Sequence, residues 1–354
     1  MDIKVIRKSL HGMVKSAKAV DLVYVSDDMP GLRRKCAGQC FSYYGGDLKI
    51  KDKDELHRIK KLGIPPAWED VWICPLVNGH LQATGYDAMH RKQYRYHTSW
   101  NLIRKQTKFF RLQDFGKKIP IIRKYIDKHL SLRGFPKEKI LATVISLLDQ
   151  TNIRIGNSCY EKLHGSFGLT TLKNRHLTIT GSQLRFTFKG KKNISHNITI
   201  KNKKLARIVK GCKDIPGKHL FEYYDSEGNI QKINSGMVND YIRNITGGEF
   251  TAKDFRTWAG TVSALSAFSK IGNFKSITEM KQNIAAAYDR VAEQLGNTRS
   301  VCKNYYVHPL IVELYKIDKL EKYFRQLEVL GLDNIKKSLM PAEIILLKIL
   351  KKHK

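Results

Sequence analysis

The chain has 354 residues, which is long enough for two domains, and its 42% hydrophobic and 10% aromatic content excludes a disordered protein. Its 64 lysines and arginines stand against only 32 acidic residues, so the formal net charge is +32. Such a surplus repels itself within a compact fold and persists where a polyanion neutralises it, so nucleic acid is the expected partner.

Membrane, secretory and zinc-binding classes have little support in the sequence. The chain contains no apolar run of about 18 residues, and its basic residues are spread over the whole length instead of lining one helix. Met1–Leu10 has no continuous apolar core, so we expect no signal peptide. Only Cys36 and Cys40 lie close together among the six cysteines, which predicts free thiols in a reducing cytoplasm and no metal site.

The first hundred residues are predicted to be rich in β-structure. Short runs of apolar or alternating residues indicate strands at Val71–Val77, His80–Thr84 and Gln93–His97. Pro75 lies inside the first of these runs, and proline cannot donate a ladder hydrogen bond. This strand is therefore expected at an edge or a bulge of a small sheet.

From about Trp100 the pattern becomes helical. Lys137–Asp149 carries apolar residues at a 3.6-residue period and is predicted to be a helix. Three strands are expected next, the last two forming a hairpin around Gly190, at Leu177–Thr180, Leu184–Phe188 and Asn197–Ile200. Helices are then expected at Thr257–Lys270, Ser276–Leu295, Leu310–Leu327 and Pro341–Lys351.

This order of elements predicts an α+β protein with two domains. A small β-rich amino-terminal domain is expected over residues 1–100, followed by a linker over residues 101–110. A larger, mainly α-helical domain with one small sheet is expected over residues 111–354, with a helical extension from about residue 310.

Two common sources of phosphate chemistry are missing from the sequence. There is no phosphate-binding loop of the G-x-x-x-x-G-K type, and no tight carboxylate cluster stands on a strand. Asp52 and Asp54 lie in a lysine-rich, turn-like stretch and are expected to be solvated. A basic protein can still cut a phosphodiester if arginines bind the non-bridging oxygens and side chains supply a nucleophile and an acid.

Candidates for these roles are present, although each also has an ordinary explanation. Arg154 and Arg256 lie near predicted helix ends, Lys191 lies at the hairpin tip, and Asn297 and Tyr306 follow a predicted helix stop. An arginine near a helix end is usually a surface charge, a hairpin lysine is usually solvated, and most tyrosines contribute to packing. Composition and spacing do not single out these five residues.

Several long blocks resemble the signature blocks of the poxvirus and bacterial type IB DNA topoisomerases. Beyond the predicted linker they are Gly168–His176 (GLTTLKNRH), Lys253–Trp258 (KDFRTW) and Gly296–Tyr306. In the first half, Gly63–Trp68 (GIPPAW) and Arg91–His97 (RKQYRYH) resemble the bacterial branch. The resemblance runs from about Asp27 to Pro309 with the blocks in the family's order, and it assigns no role to residues 310–354.

The resemblance implies a role for each candidate. Tyr306 corresponds to the nucleophile that attacks the scissile phosphorus, and Arg154 and Arg256 correspond to the pair that binds the non-bridging oxygens. Lys191 corresponds to the general acid that protonates the departing 5′ oxygen. Asn297 stands where the poxvirus enzymes have histidine and can donate a hydrogen bond but cannot titrate. Tyr305 competes with Tyr306, and neighbours on a helix point about 100° apart, so only one can face the phosphate.

The implied enzyme is an isomerase that relaxes positive and negative supercoils. It cleaves one strand of duplex DNA through a 3′-phosphotyrosyl intermediate, lets the strand rotate, and reseals it without ATP, metal or cofactor. A phenol is a much better leaving group than a deoxyribose hydroxyl, so the tyrosyl ester stays reactive toward the returning 5′ hydroxyl. The fold implied is that of the catalytic domain shared by tyrosine recombinases and type IB topoisomerases.

The resemblance also points to residues that hold the DNA. Arg91, Gln93, Tyr94 and Tyr96 are expected to form a major-groove element, although the two tyrosines could instead pack on the sheet. Further candidates for DNA contact, with Tyr160 equally explicable as a core residue, are Tyr160, Arg33, Arg34 and Lys253. The family implies a monomer that closes around duplex DNA as a two-domain clamp. It would work with DNA in the cytoplasm, at a nucleoid, or in a virion or viral factory.

Two other functions remain open from the sequence. A tyrosine recombinase uses related chemistry but usually has a His-x-x-Arg block, whereas this chain has lysine at position 253 before Arg256. A non-catalytic DNA-packaging or regulatory protein would bind DNA without changing its topology. Relaxation of a plasmid that lacks special sites, in the presence of EDTA, distinguishes a topoisomerase from both.

Overall fold

The structure is a computed structural model that describes residues 13–37, 40–332 and 338–353. The chain forms two compact units, divided between Arg111 and Leu112. Residues 101–110, the predicted linker, are helical and belong to the first unit. Met1–Leu10, where no signal peptide is expected, lies outside the described residues. Within the described ranges, no helix is both long enough and apolar enough to cross a lipid bilayer.

The amino-terminal unit is built on an antiparallel sheet with the strand order β3-β2-β1-β4-β5-β6. Its elements in chain order are α1 (Met13–Lys18), β1 (Leu32–Ala37), β2 (Cys40–Gly45), β3 (Leu48–Lys49), α2 (Lys53–Lys61), β4 (Glu69–Ile73), β5 (Leu81–Tyr86), β6 (Lys92–Tyr96) and α3 (Thr98–Phe110).

The small sheet and the edge position predicted for the Val71–Val77 strand are wrong, whereas the alternative of a bulge agrees with a shift of register between Glu69 and Trp72, where β4 pairs with β5. Strands β1 to β3 make up half of the sheet and were not predicted. The sequence of β1, LRRKCA, has little of the apolar alternation that indicates a strand. Strand β4 lies in the interior, between β1 and β5, and ends at Ile73 before Pro75. The strand stops there because an interior strand needs every backbone donor, which proline lacks.

Near its centre, the sheet carries buried residues on both faces. On one face, Ile59 of α2 packs with Leu32, Val71 and Ile73. Asp52, predicted to be solvated, is the N-cap of α2, where its carboxylate accepts a hydrogen bond from the backbone N–H of Asp54. Other buried residues of the unit form two small clusters around Trp72 and Trp100.

The carboxyl-terminal unit is mainly helical and contains one three-stranded antiparallel sheet and one small hairpin in its described part. Its elements are α4 (Leu112–Leu130), α5 (Lys137–Thr151), α6 (Ser158–His164), β7 (Leu177–Thr180), β8 (Gln183–Lys189), β9 (Ser195–Lys201), α7 (Lys203–Lys213), β10 (Glu222–Tyr224), β11 (Ile230–Lys232), α8 (Ser235–Thr246), α9 (Ala252–Ile271), α10 (Ile277–Leu295), α11 (Arg299–Tyr305), α12 (Pro309–Lys316), α13 (Glu321–Leu332) and α14 (Pro341–Lys352).

The helices and strands predicted for this unit agree with the structure except at two places. Helix α9 begins five residues earlier than predicted, because Thr251 and Asp254 form a capping box ahead of its first turn. The helix predicted at Leu310–Leu327 is wrong, since the structure has two helices there. A left-handed backbone at Asp318 separates α12 from α13 and lets Leu320 be buried.

Helix α9 lies at the centre of the unit and contacts α4, α5, α10 and α14. Its Trp258 is buried so closely against α4 that a Cβ atom added to Gly116 would lie 2.4 Å from the indole ring. The same atom would lie 2.8 Å from Leu347 Cδ2 of α14. Gly116 therefore permits three helices to pack around one tryptophan.

We expect the variant Gly116→Ala to lower the free energy of unfolding by about 1–3 kcal/mol, the usual cost of an overpacked core. This loss should exceed the gain of up to about 1 kcal/mol that alanine normally brings to a helix. Urea unfolding followed by circular dichroism measures the change.

Gly331→Ala is the matched control, because Gly331 also lies in a helix but has open space around the added Cβ atom. We expect its unfolding midpoint to stay the same or rise slightly. An unchanged or higher midpoint for Gly116→Ala would contradict the close packing around Trp258.

Candidate active site

Arg154 is held where the chain leaves helix α5. Asn152 ends that helix in the left-handed conformation and turns the chain into a loop. The half-buried Arg154 then donates through Nη2 to the carbonyl oxygen of Gly296, 3.2 Å away, and to the amide oxygen of Asn297. Two segments that are more than 140 residues apart are thereby joined.

Arg256 is buried between the carboxyl ends of two helices. Its side chain is only 4% exposed, and its two Nη atoms donate to the carbonyl oxygens of Asn152 and Leu295, the latter at 2.7 Å. Asn152 caps α5 and Leu295 is the last residue of α10. Carbonyl groups at a helix carboxyl end carry partial negative charge, so they stabilise a buried guanidinium.

Arg154 and Arg256 form a pair of neighbouring positive charges. Burial lowers the pKa of Arg154, and the charge of Arg256 lowers it further. Arg154 Nη1 and Arg256 Nε are buried and have no hydrogen-bond partner within the described part of the chain. Because buried donors are nearly always satisfied, this arrangement is suited to an anion that accepts from both arginines.

Tyr306 lies beside this pair. It caps helix α11, and the centroid of its ring lies 5.1 Å from Cζ of Arg256. Tyr305, the alternative nucleophile, is 52% exposed. Burial raises the pKa of the nearby Cys302 thiol to about 11, which keeps that group protonated and unreactive.

The backbone of Tyr306 is anchored on helix α9. The hydroxyl of Thr261 shares its proton between the carbonyl oxygens of Thr257 (2.8 Å) and Tyr306 (3.1 Å), and it accepts from the N–H of His308 (3.1 Å). A Cβ atom added to Gly260 would lie 2.8 Å from that same carbonyl oxygen. The helix that provides Arg256 therefore also fixes the position of Tyr306.

Lys191 is exposed in the turn between β8 and β9, with Nζ 5.5 Å from the ring centroid of Tyr160. His196, on β9, connects this turn to the arginine pair. A Cβ atom added to Gly190 would lie 2.6 Å from His196 Nε2, and one added to Gly296 would lie 2.5 Å from His196 Cε1. The imidazole thus packs between the segment that carries Lys191 and the segment that carries Asn297.

Sequence reasoning missed His196, Gly260 and Thr261, which hold the site together. Gly260 follows Arg256 by four residues and so lies on the same face of α9, which means that a helical projection from Arg256 could have indicated it, whereas Thr261 lies on another face. His196 lies on a strand of alternating character, and its contacts with both glycines depend on tertiary packing alone.

The amino-terminal unit presents the predicted DNA-contact residues on and beside its edge strand β6. Asp87 accepts from Arg91 Nε (2.7 Å) and from Gln93 Nε2 (2.8 Å), which fixes both side chains. The hydrogen bond from Arg91 holds the pKa of Asp87 well below its usual value. Tyr94 and Tyr96 stack with their ring centroids 5.8 Å apart, as expected for alternating residues that share a face, and Tyr94 is 47% exposed.

The remaining candidates differ in their surroundings. Arg33 on β1 and Lys253 in the first turn of α9 are exposed. Arg34 already has hydrogen-bond partners, since its guanidinium donates to the carbonyl oxygens of Pro65 and Pro66. These bonds favour a structural role for Arg34, whereas Arg33 and Lys253 are available to solvent.

Among the residues that the structure describes, no group of three or more histidine, cysteine or carboxylate side chains is arranged to hold a metal ion. Cys36 and Cys40 are both exposed.

Comparison with known proteins identifies the family. Residues 97–330 match the profile described as "Eukaryotic DNA topoisomerase I, catalytic core", and residues 40–87 match "Bacterial DNA topoisomerase IB, N-terminal domain". The chain is 34% identical to DNA topoisomerase 1B of Acanthamoeba polyphaga mimivirus, over 81% of this chain and 88% of that protein. It belongs to the type IB DNA topoisomerase family.

Poxvirus members of the family are more distant. DNA topoisomerase 1B of Vaccinia virus (strain Copenhagen) is 27% identical over 71% of this chain and 76% of the relative. DNA topoisomerase 1 of Rabbit fibroma virus (strain Kasza) is 25% identical over 65% and 70%. The predictions of an α+β topoisomerase fold and of a type IB DNA topoisomerase, an isomerase, are confirmed.

The position of His196 generates a prediction about acid stability. Burial lowers the pKa of His196 below its ordinary value, and the charges of Arg154 and Arg256 lower it further. The unfolded chain therefore takes up a proton at about pH 6.5, whereas the folded chain does so only at lower pH. This contribution to stability is complete above about pH 6.5 and is lost as the pH falls toward the folded-state pKa.

We expect His196→Gln, which removes this titration, to gain stability relative to the unmodified protein as the pH falls from 7.5 to 5.5. The free energy of unfolding of both proteins is measured in urea at several pH values. In the difference between the two values, the contributions of the other histidines cancel. A difference that does not change with pH would show that His196 titrates in the same way in the folded and unfolded chains.

Proposed function

We propose that this protein relaxes supercoiled duplex DNA by cutting one strand, letting it rotate and resealing it, through a covalent bond between Tyr306 and the 3′ phosphate. The observation that carries the proposal is the pair formed by the half-buried Arg154 and the buried Arg256. Each has a donor without a partner in the described residues, and the Tyr306 ring lies against Arg256. Family membership makes a DNA phosphate the natural anion for this site.

In the cleavage step, the phenolic oxygen of Tyr306 attacks the scissile phosphorus. A bond forms between phosphorus and the tyrosine oxygen while the bond from phosphorus to the 5′ oxygen breaks. Negative charge on the non-bridging oxygens is stabilised by Arg154 and Arg256, whose forked donors suit phosphate. The phenol proton passes to solvent, and the 5′ oxygen takes a proton from Lys191.

Asn297 adds a neutral donor to the site. Arg154 binds its amide oxygen, and one N–H of its NH₂ group donates to the carbonyl oxygen of Leu295 at 3.4 Å, so the second N–H remains to donate to a phosphate oxygen. It cannot titrate, so its contribution should not depend on pH. Lys191 provides the mobile proton, since a lysine ammonium is charged at neutral pH and can protonate a much more basic alkoxide.

Resealing is the reverse of cleavage. The 5′ hydroxyl attacks the phosphorus and loses its proton to Lys191, while the bond from phosphorus to the Tyr306 oxygen breaks and that oxygen regains a proton from solvent. Since the phosphodiester energy is kept in the tyrosyl ester, no ATP is required.

Residues of each of the two units would contact the DNA. On the amino-terminal unit, Arg91, Gln93 and the stacked Tyr94 and Tyr96 offer polar and aromatic groups of the kind that enter the major groove. As the resemblance to the family implies, we also propose a monomer that closes around the duplex as a clamp and works wherever the DNA of its cell or virus is found. Tyr160 and Lys253 would add contacts from the carboxyl-terminal unit.

We expect Tyr306→Phe to abolish relaxation of supercoiled plasmid in EDTA and to leave no covalent protein–DNA adduct, because the variant lacks the attacking oxygen. DNA affinity should change little. Gel analysis of topoisomers and denaturing gels of trapped adduct provide the two measurements.

Tyr305→Phe is the matched control and should keep both activities. Adduct that persists in Tyr306→Phe but disappears in Tyr305→Phe would assign the nucleophile to the neighbouring residue. A wild-type protein that neither relaxes plasmid nor attaches to DNA in EDTA would overturn the proposed reaction.

We expect Lys191→Ala to cleave ordinary DNA at least about a hundredfold more slowly, within the usual range for loss of a general acid. It should cleave a strand with sulfur at the 5′ bridging position at nearly the normal rate, because a thiolate leaves without a proton. Single-turnover cleavage rates on the two substrates test this role.

Lys189→Ala removes an exposed lysine from the same hairpin and should leave both rates close to normal. Equal slowing of Lys191→Ala on the oxygen and sulfur substrates would reject Lys191 as the acid.

A further inference from the structure

Helix α14 lies beyond residues 97–330, which match the catalytic core of the family, yet it is packed into the core of the carboxyl-terminal unit. Its first turn carries Glu343, a carboxylate whose residue is only 1% exposed. An ionised group is rarely buried so deeply unless its partners compensate its charge.

Four donors surround the two oxygens of Glu343. Oε1 accepts from the indole Nε1 of Trp258 (2.9 Å) and from Arg123 Nη2 (3.0 Å). Oε2 accepts from Arg123 Nη1 (2.8 Å) and from the backbone N–H of Met340 (2.8 Å). The carboxylate therefore joins three elements, namely α4, α9 and the start of α14.

The contacts with Trp258 and Arg123 connect Glu343 to the segments that carry the arginine pair. Trp258 is two residues after Arg256 on α9, so the two side chains leave the helix in nearly opposite directions. Arg123 also binds Asp149 in the last turn of α5, with Nε 2.9 Å from Oδ2. Three residues further on, Asn152 presents its carbonyl oxygen to Arg256, and Arg154 follows in the same loop.

The network thus fixes the two segments that carry the phosphate-binding arginines. The carboxylate holds α9 through Trp258 and holds the end of α5 through Arg123 and Asp149. A shift of either segment would move one guanidinium relative to the other, and displacement of a binding group by about 1 Å can reduce a rate about a hundredfold.

We propose that Glu343 is a positioning residue for phosphate binding, which it controls through Trp258 on one side and Arg123 on the other. The proposal rests on the proposed function, because it assumes that Arg154 and Arg256 bind the scissile phosphate. It gives the carboxyl-terminal segment a role in the reaction, although no residue of that segment touches DNA in this scheme.

The test uses two variants of the full-length protein that disturb the network gently. Trp258→Phe removes the indole donor but keeps an aromatic ring in the packed space, and Glu343→Gln removes the negative charge at almost constant shape. We expect either change to slow single-turnover cleavage about tenfold or more, with little change in DNA affinity.

A purely structural role would also slow cleavage, so a second substrate is needed. In this substrate a methyl group replaces one non-bridging oxygen of the scissile phosphate, and the two diastereomers are measured separately. If the network acts through the arginines, the variants should lose much less on at least one diastereomer than on the normal phosphate, because the affected contact is already missing. This is the logic of a double-mutant cycle between protein and substrate.

Two control variants match the chemistry of the changes. Trp72→Phe also removes an indole donor, which binds the Met29 carbonyl oxygen in the amino-terminal unit. Glu321→Gln removes a carboxylate that pairs with Arg325 on the surface of α13. Both should cleave the normal and the methylated substrates at close to wild-type rates.

The outcomes separate the inference from the proposed function. Slowing by the same factor on the phosphate and on both methylated substrates would overturn the positioning role, as would wild-type rates in both variants. Failure of the unmodified protein to form the adduct would instead reject the proposed function. Thermal unfolding of each variant checks that slower cleavage does not follow simply from a loss of folded protein.

Discussion

Two guanidinium groups, that of the half-buried Arg154 and that of the buried Arg256, lie beside each other in the carboxyl-terminal unit, and their positive charges repel. The fold compensates this repulsion with dipoles in place of carboxylates. Arg256 lies between the carboxyl ends of α5 and α10, and Arg154 reaches the carbonyl oxygen of Gly296 and the amide oxygen of Asn297. Carbonyl dipoles stabilise the cations without neutralising them, so the site keeps its attraction for an anion.

This arrangement explains why the ends of the helices matter as much as their packing. Asn152 and Gly296 both adopt the left-handed conformation, which stops α5 and α10 where their last carbonyl groups reach the arginines. Helix α9 then combines several tasks, since it carries Arg256, supports the Tyr306 backbone through Gly260 and Thr261, and meets the carboxyl-terminal helix through Trp258. A substitution on any of these faces of α9 can therefore disturb the site.

The amino-terminal unit uses its few carboxylates in a different way. Asp87 binds Arg91 and Gln93, and Asp27 binds Lys92 at 2.6 Å, so the polar groups around β6 have fixed directions. In a chain with a net charge of +32, general attraction for a polyanion needs no special arrangement. The acidic residues around β6 instead fix the directions of individual side chains, so they influence the geometry of DNA binding more than its affinity.

The sequence by itself determined the class of fold, the strongly periodic helices and the β8–β9 hairpin, because these depend on local apolar spacing and turn residues. Blocks of family residues in one order also gave the topoisomerase family and a set of candidate site residues. Strands β1 to β3 were not predicted, since Arg33, Arg34 and Lys35 hide the alternation that marks a strand.

Only the tertiary structure decided which residues support the candidates. His196, Thr261 and Glu343 are far from Arg154 along the chain and have no distinguishing local pattern, yet they lie in or next to the same network. The break at Asp318 was hidden for a similar reason, because the burial of Leu320 favours two helices where periodicity alone favours one. These features depend on contacts between segments that are distant along the chain. A local pattern of residues does not indicate which distant segment will pack against it.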